Sequence, residues 1–203
     1  MLALLQLRRV ALLWLLSATA LPACLVSVET RGRWQVLTED RTWPPPLGIL
    51  NTHFTDDERG WAVTPFALLQ TRNGGKTWAE KFNGGDEDDF LSIAFVDNVR
   101  GVIVGGERKG SSHVALFWNT TDGGASWIRH TDYNIPPLSS VSFCSRTTGY
   151  AAGSGAVVFT SDGGWTWMPL LQSERDLHLM SVACFDSLRV YCGRCRRCNL
   201  AHG

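Results

Sequence analysis

Short runs of alternating apolar and polar residues, separated by glycine and Asx turns, dominate the middle of the chain. LSIAFV at 91–96 and LSSVSF at 138–143 alternate with period two, which is typical of half-buried β-strands. Around the first run, the pattern predicts four strands at 91–96, 101–105, 115–119 and 126–130. The sequence therefore predicts an all-β chain of short antiparallel strands.

An eight-residue box recurs three times, as TRNGGKTW at 71–78, TTDGGASW at 120–127 and TSDGGWTW at 160–167. A glycine-led strand precedes each box, with the sequences GWAV, GVIVG and GYAAG. Four-stranded units that repeat every 40 to 49 residues are typical of β-propeller blades. Because a single blade cannot bury both of its faces, we expect neighbouring blades to stack on one another.

The repeat pattern covers residues 31–193 but is incomplete at both ends. A fourth unit begins at 179–185 and 189–193, and no box follows it. RWQVL at 33–37 is typical of the last strand of a blade whose other strands lie elsewhere. We therefore expect about 3.5 blades in an unclosed ring, followed by an unpatterned Cys/Arg-rich tail at 194–203. Our hypothesis is that the chain is a truncated or misread version of a longer propeller, which the DNA beyond codon 203 would test.

The residue types of the box favour a structural role. Asp or Asn at its third position can bond to the backbone a few residues on, and glycine permits positive φ without steric cost. The initial threonine offers a second local hydroxyl, and the final tryptophan supplies a large apolar surface.

The boxes match the pattern Ser/Thr-x-Asp-x-Gly-x-x-Trp, and the chain resembles the Asp-box (BNR repeat) propellers. With its preceding strands, it is most similar to the photosystem II stability and assembly factor family. The resemblance implies an exported, non-catalytic scaffold that binds protein partners, including membrane-protein subunits. It also implies that the boxes are peripheral turns rather than active sites. The structural box residues are then Thr71, Asn73, Gly75, Trp78, Thr120, Asp122, Gly124, Trp127, Thr160, Asp162, Gly164 and Trp167.

The first 23 residues predict a secretory signal peptide, with Arg8 and Arg9 before an apolar run at 10–16 and small residues at 17–20. LPAC at 21–24 resembles a bacterial lipobox, with Cys24 as the lipidation site, although Pro22 departs from the pattern. Cleavage after Ala20 or Ala23 without lipidation is the alternative. We therefore expect a periplasmic, thylakoid-lumenal or membrane-anchored protein that meets the membrane only through such an anchor.

The balance of charges along the chain bears on which kinds of partner it can bind. The chain has 19 Lys plus Arg and 19 Asp plus Glu, so its net charge is zero, which argues against nucleic acid as a partner. The resemblance suggests a basic patch for protein partners, whereas ordinary solvated charges are the alternative. The candidates for this patch are Arg100, Arg108, Lys109, Arg129, Arg146 and Arg175.

The alternatives are a sialidase-like glycoside hydrolase or another exported BNR-repeat protein. The hydrolase would need a tyrosine nucleophile with acidic partners. The tyrosines are Tyr133, Tyr150 and Tyr191, and Tyr150 occupies the slot of Trp61, which favours a core position. The acidic run DEDD at 86–89 could bind calcium, but a solvated interblade loop is favoured.

The cysteines near the end of the given sequence are candidate metal ligands. Cys192, Cys195 and Cys198 have the spacing of zinc ligands, and His202 could complete the set. An exported protein usually meets an oxidising compartment, and the tail lies where the repeat pattern ends, so we expect no metal and no cofactor. Cys144 and Cys184 lie in strand patterns, where buried thiols and a disulfide both stay open. Asn119 begins a glycosylation sequon that we attribute to chance.

Overall fold

The structure is a computed structural model that describes residues 26–28, 34–36, 48–172, 177–186 and 189–194. Every regular element in these residues is a β-strand. Within them, no helix is long and apolar enough to cross a membrane. The predicted signal peptide at 1–23, the lipidation site Cys24 and tail residues 195–203 lie outside the described residues.

Most of the described chain folds into three four-stranded sheets, or blades, flanked by two strand pairs. The first pair is β1 (Val26–Val28) with β2 (Trp34–Val36). The first blade contains β3 (Asn51–Phe54), β4 (Gly60–Val63), β5 (Ala67–Thr71) and β6 (Ala79–Asn83). The second contains β7 (Asp88–Phe95), β8 (Gly101–Lys109), β9 (Ser112–Thr120) and β10 (Ile128–Asp132). The third contains β11 (Leu138–Phe143), β12 (Gly149–Gly153), β13 (Ala156–Thr160) and β14 (Met168–Gln172). The last pair is β15 (Leu179–Asp186) with β16 (Arg189–Arg194).

Each blade is an antiparallel meander whose strands lie side by side in chain order. The prediction of all-β propeller blades in an open, unclosed arrangement is confirmed. The predicted strand at 33–37 is observed as β2, but it pairs with β1 directly before it. The expectation that its partner strands lie elsewhere is therefore wrong for this pairing, because the repeat pattern does not extend to the residues of β1.

The second blade differs in its bounds from the prediction of 91–96, 101–105, 115–119 and 126–130. Its central hairpin is longer, because pairing continues from Gly105 through Glu107 to Lys109 and Ser112. These residues are largely polar, so the apolar alternation does not reveal them as strand. Its last strand begins only at Ile128, since Ser126 and Trp127 belong to the box.

Aromatic and aliphatic side chains fill the space between consecutive blades. Between the first and second blades, Trp61 stacks on Phe95 with ring centroids 5.8 Å apart, and Trp127 meets both rings edge-on. Between the second and third, Phe117 stacks on Trp167. Such pairs add to the free energy gained from burying apolar area, so they hold one blade against the next.

The innermost strands are also joined by hydrogen bonds from the backbone of one blade to a side chain of the blade before it. Ile93 donates its amide to Asn51 Oδ1 at 3.1 Å, and Val141 donates its amide to Ser92 Oγ at 3.3 Å. The amides of Val182 and Cys184 donate in the same way to Ser140 and Ser142. These polar contacts place each new blade at a fixed step from the last one.

The β15–β16 pair packs against the third blade. Tyr150 is buried there with Leu179 and Val182, so the prediction of a core aromatic at Tyr150 is confirmed. Cys144 and Cys184 form a disulfide across this interface with their Cα atoms 5.2 Å apart. The question that the sequence left open is thus resolved in favour of a disulfide.

Candidate functional site

The third box is a closed network of short hydrogen bonds between β13 and β14. The hydroxyl of Thr160 donates to Asp162 Oδ1 at 2.7 Å and accepts from the Gly164 amide at 2.9 Å. The Asp162 carboxylate also accepts from the amide of Trp165 and from the hydroxyl and amide of Thr166. Every oxygen of the carboxylate is thus engaged within its own turn.

The second box repeats this network with Ser126 in the place of Thr166. Asp122 accepts from the Thr120 hydroxyl at 2.8 Å and from the Ser126 hydroxyl at 2.5 Å. The hydrogen bonds from Ser126 and Thr120 lower the pKa of Asp122 to about 2. Burial tends to raise the pKa of Asp162, but the hydrogen bonds from Thr166 and Thr160 outweigh it and lower the pKa to about 2.

The first box forms the same turn with an asparagine, Asn73, in place of the aspartate. Asn73 Oδ1 accepts from the Thr71 hydroxyl at 3.0 Å and from the Thr77 amide at 2.9 Å. Its Nδ2 donates to the Thr77 hydroxyl, which reverses the direction of that bond relative to the aspartate boxes. A neutral side chain therefore forms the same turn, although it cannot serve as a general acid or base.

Each box lies on the turn that joins the first two strands of its own blade. Single amide-to-carbonyl bonds of 2.8 to 2.9 Å make this contact in every blade. The donors and acceptors are Gly74 with Glu58, Gly123 with Val99, and Gly163 with Thr147. Both glycines of each box have positive φ, a backbone conformation that residues with a side chain rarely adopt.

Two of the three box tryptophans anchor their turn both by a hydrogen bond and by burial, whereas Trp127 packs against Trp61 and Phe95. The indole nitrogens of Trp78 and Trp167 donate to the carbonyls of Gly75 and Gly164, and both rings are buried. Trp165 is 39% exposed and lies in the turn before β14. Neither Trp165 nor Trp167 lies within a strand, so the two rings do not alternate along one strand.

A second polar centre lies at the far end of the second blade, where a charge cluster is partly buried. Arg129 donates to both oxygens of Asp88 at 2.7 and 2.9 Å and contacts Glu107 at 2.9 Å. Asp88 is 3% exposed, and Asp89 binds Arg108 at 2.7 Å. The interpretation of 86–89 as a solvated loop is thus wrong for its last two residues, which begin β7 and are held by arginines.

A family model identifies the family to which the chain belongs. The model described as photosynthesis system II assembly factor YCF48 matches residues 29–168. The chain belongs to the YCF48 family.

The matches to individual relatives cover only part of this chain and less than half of each relative. The photosystem II assembly lipoprotein Ycf48 of Picosynechococcus sp. is 32% identical over 126 residues, which are 60% of this chain and 36% of the relative. The solved structure of YCF48 bound to a D1 peptide is 29% identical, with a TM-score of 0.53, and the match covers 67% of this chain and 44% of that one. The chain thus spans between a third and a half of the length of these relatives.

Glycoside hydrolases share the fold alone. The GH74 enzyme of Niastella koreensis is 15% identical with a TM-score of 0.59, and the match covers 79% of this chain and 30% of that one. Of the tyrosines that could serve as the nucleophile of a sialidase-like mechanism, Tyr150 is buried beside Phe159, and the Tyr133 hydroxyl accepts a hydrogen bond from Lys109. Tyr191 is exposed on β16.

The six basic candidates do not form one patch among the described residues. Arg108, Lys109 and the guanidinium of Arg129 lie with the charge cluster of the second blade. Arg100 instead pairs with Asp97 at 2.9 Å in the turn between β7 and β8. Its guanidinium lies near Gly163 of the third box, which is also close to the backbone carbonyl of Arg146. Arg175 lies outside the described residues. The Arg129 cluster was missed by sequence reasoning, since no local pattern links residues 41 positions apart.

Metal and modification candidates find little support in the described ranges. No group of three or more His, Cys, Asp or Glu in the described residues is arranged for a metal ion. Cys192 is a free, exposed thiol, while Cys195, Cys198 and His202 lie outside the described residues. Asn119 is 1% exposed and donates its amide to Gly164, so the folded sequon offers no accessible acceptor.

Proposed function

We propose that this chain is a non-catalytic scaffold that binds protein partners, including membrane-protein subunits, during photosystem II assembly. The observation that carries the proposal is the YCF48 family match over residues 29–168. The relative solved with a D1 peptide supports a polypeptide segment as the kind of ligand. Because the chain spans only part of its relatives, its own binding activity needs a direct test.

The geometry of the acidic groups supports a non-catalytic role. Asp122 and Asp162 use their oxygens within their own turns, and Asn73 shows that this turn works without a carboxylate. Asp88 and Glu107 share Arg129 and are buried, so neither is placed to transfer a proton to a substrate. We propose that the twelve box residues act only in stability.

For the binding surface, we propose the tip of the β8–β9 hairpin. Arg108 is half exposed there, and its pairing with Asp89 positions the guanidinium at the surface. Lys109 donates to the Tyr133 hydroxyl at 3.1 Å beside it. Exposed basic groups next to an aromatic ring suit the carboxylates and aromatic side chains of a partner polypeptide.

For localisation, we propose export followed by acylation at Cys24. The lipobox-like LPAC at 21–24 supports it, as does the description of the Picosynechococcus relative as a lipoprotein. Labelled palmitate should be incorporated into the expressed chain and lost in Cys24→Ser. Incorporation that persists in the Cys24→Ser variant would contradict acylation at this site.

Binding is tested by titrating a fluorescent D1 peptide into the purified chain and following anisotropy. We expect saturable binding that the Arg108→Glu/Lys109→Glu variant weakens by about tenfold. Lys76→Glu/Lys81→Glu, which makes the same charge change on the first blade, is the matched control and should bind like the wild type. A folded chain without saturable binding would contradict the scaffold proposal, and equal weakening by both variants would contradict the hairpin as its site.

The competing hydrolase is tested with the same protein. Incubation with a fluorogenic sialoside should release no fluorophore above the rate of a heat-unfolded sample. A turnover that is lost on unfolding would overturn the non-catalytic proposal.

A further inference from the structure

Large apolar side chains project from the outer edge of the third blade. Trp165 is 39% exposed, Met168 54% and Leu170 60%. Trp165 lies in the box turn, whereas Met168 begins β14 and Leu170 falls at a register shift between β13 and β14. These three residues form the apolar rim of the third blade.

The fold itself does not require apolar residues at these positions. When the boxes are aligned, the rim corresponds to Lys76, Ala79 and Lys81 in the first blade. The correspondence extends to structure, because β5 and β6 have the same register shift, which places Lys81 where Leu170 lies. Since the first blade folds with two lysines here, core packing does not explain the rim.

The rim continues onto neighbouring apolar surface. Ile128, which occupies the Met168 position in the second blade, is 57% exposed although a complete blade follows it. Gln172 donates to the Asn134 carbonyl at 2.8 Å, which ties the end of β14 to the second blade. β14 (Met168–Gln172) contains no charged residue. Apolar side chains of two adjacent blades are thus exposed at their outer edges, and β14 itself is uncharged.

We infer that the apolar rim rests on the surface of a lipid bilayer. Tryptophan is enriched at the boundary between water and hydrocarbon, where methionine and leucine side chains enter the acyl region. The inference rests on the proposed anchor at Cys24, which would hold the chain close to lipid. Cys24 lies shortly before the first blade in the chain, so an anchor there would keep the blades near the bilayer.

Apolar burial rather than charge should drive this contact. The chain has no net charge, and the rim has none of its own, so neutral lipid should suffice. The rim also orients the propeller, because contact through an outer edge places the blades on their side against the bilayer. The hairpin tip of the second blade then stays accessible to a partner.

The test compares flotation of the full Cys24→Ser chain with vesicles of phosphatidylcholine, with and without the rim. The rim variant Trp165→Lys/Met168→Ala/Leu170→Lys carries the residues that the first blade uses, so it should fold. Thr121→Lys/Thr147→Lys adds the same charge at other exposed positions and is the matched control. The predicted signal peptide at 1–23 is identical in all three proteins, so a difference between them comes from the substituted residues.

We expect the rim variant to partition at least about tenfold more weakly than both the wild type and the control, independently of salt. Fluorescence quenching by brominated phosphatidylcholine should fall in parallel when Trp165 alone is changed to Phe. Equal partitioning of the rim variant and the wild type would overturn the inference. So would a rim variant that floats normally but no longer binds the D1 peptide, since the rim would then contact protein. Normal peptide binding by a rim variant that has lost vesicle binding would leave the scaffold proposal intact.

Discussion

The side-chain amide of Asn119 donates a 2.7 Å hydrogen bond to the carbonyl oxygen of Gly164, which lies 45 residues later in the next blade. Gly164 O also accepts from the Trp167 indole at 3.1 Å. Asn119 lies at the end of β9 and is buried. A single carbonyl therefore couples the second blade to the box of the third.

Removing this coupling should destabilise the protein. We expect Asn119→Ala to lower the free energy of unfolding by about 1–3 kcal/mol, because a buried hydrogen bond between blades is lost. Gln70 occupies the same position in the first blade, where its side-chain oxygen accepts a 3.4 Å hydrogen bond from the exposed Arg72. Gln70→Ala should therefore cost less than about 0.5 kcal/mol in urea unfolding. Equal costs for the two variants would show that the bond to Gly164 contributes nothing.

The third box should tolerate an amide better than an apolar residue. We expect Asp162→Ala to lower the free energy of unfolding by about 1–2 kcal/mol through lost turn bonds. Asp162→Asn should cost less than half of that, because Asn73 forms the same turn in the first box. Thermal or urea unfolding of both variants is the measurement. If Asn and Ala were equally destabilising, the carboxylate charge rather than the turn bonding would be the source of stability.

The depressed pKa values of Asp122 and Asp162 predict a specific loss of stability in acid. Both carboxyls have a pKa of about 2 in the folded state, below the ordinary value of 3.8 for an aspartate. A depressed folded pKa contributes stability that is complete above the unfolded value and is lost as pH falls through the folded value. The melting temperature should therefore fall less steeply between pH 4 and pH 2 for Asp122→Asn/Asp162→Asn than for the wild type. Parallel curves would contradict the hydrogen-bonded carboxylates.

Local signals made the blades and boxes predictable from sequence. The glycine pairs, the Asx residue and the final tryptophan of each box act within eight residues, so a repeat reveals them directly. Period-two alternation placed β11 (Leu138–Phe143) at its observed bounds. The strand bounds of the second blade were less well predicted, because polar residues from Glu107 to Ser112 continue the pairing.

Contacts between distant residues could not be predicted in this way. Arg129 meets Asp88 across 41 positions, and the disulfide joins cysteines 40 positions apart. Both contacts exist only because blades and strands stack at a fixed step, which alternation along one strand does not encode. The same limit made Asp88 and Asp89 look like loop residues, since their arginine partners lie on other strands.

The disulfide should hold the β15–β16 pair against the third blade. We expect Cys144→Ser/Cys184→Ser to lower stability by about 2–4 kcal/mol, because the cross-link restricts the unfolded chain and spans 40 residues. Cys192→Ser is the matched control, since that thiol is free and exposed, and it should change stability little. Reduction of the wild type should reproduce the double variant. A wild type whose melting temperature does not respond to reductant would contradict this role.

Gly124 and Gly85 have similar backbone conformations but different surroundings. Alanine substitutions at the two positions therefore distinguish the cost of a steric clash from the cost of backbone strain. Gly124 has φ of 81° and Gly85 has φ of 77°, so alanine is strained at both. A Cβ at Gly124 would also overlap the indole ring of Trp61 on the first blade, whereas nothing lies within 4 Å of a Cβ at Gly85. We expect Gly85→Ala to cost about 1 kcal/mol and Gly124→Ala at least about 2 kcal/mol more, because the interblade contact must also open. Equal costs in urea unfolding would mean that the Trp61 ring moves aside freely, and the close approach of the second box to the first blade would then be no source of stability.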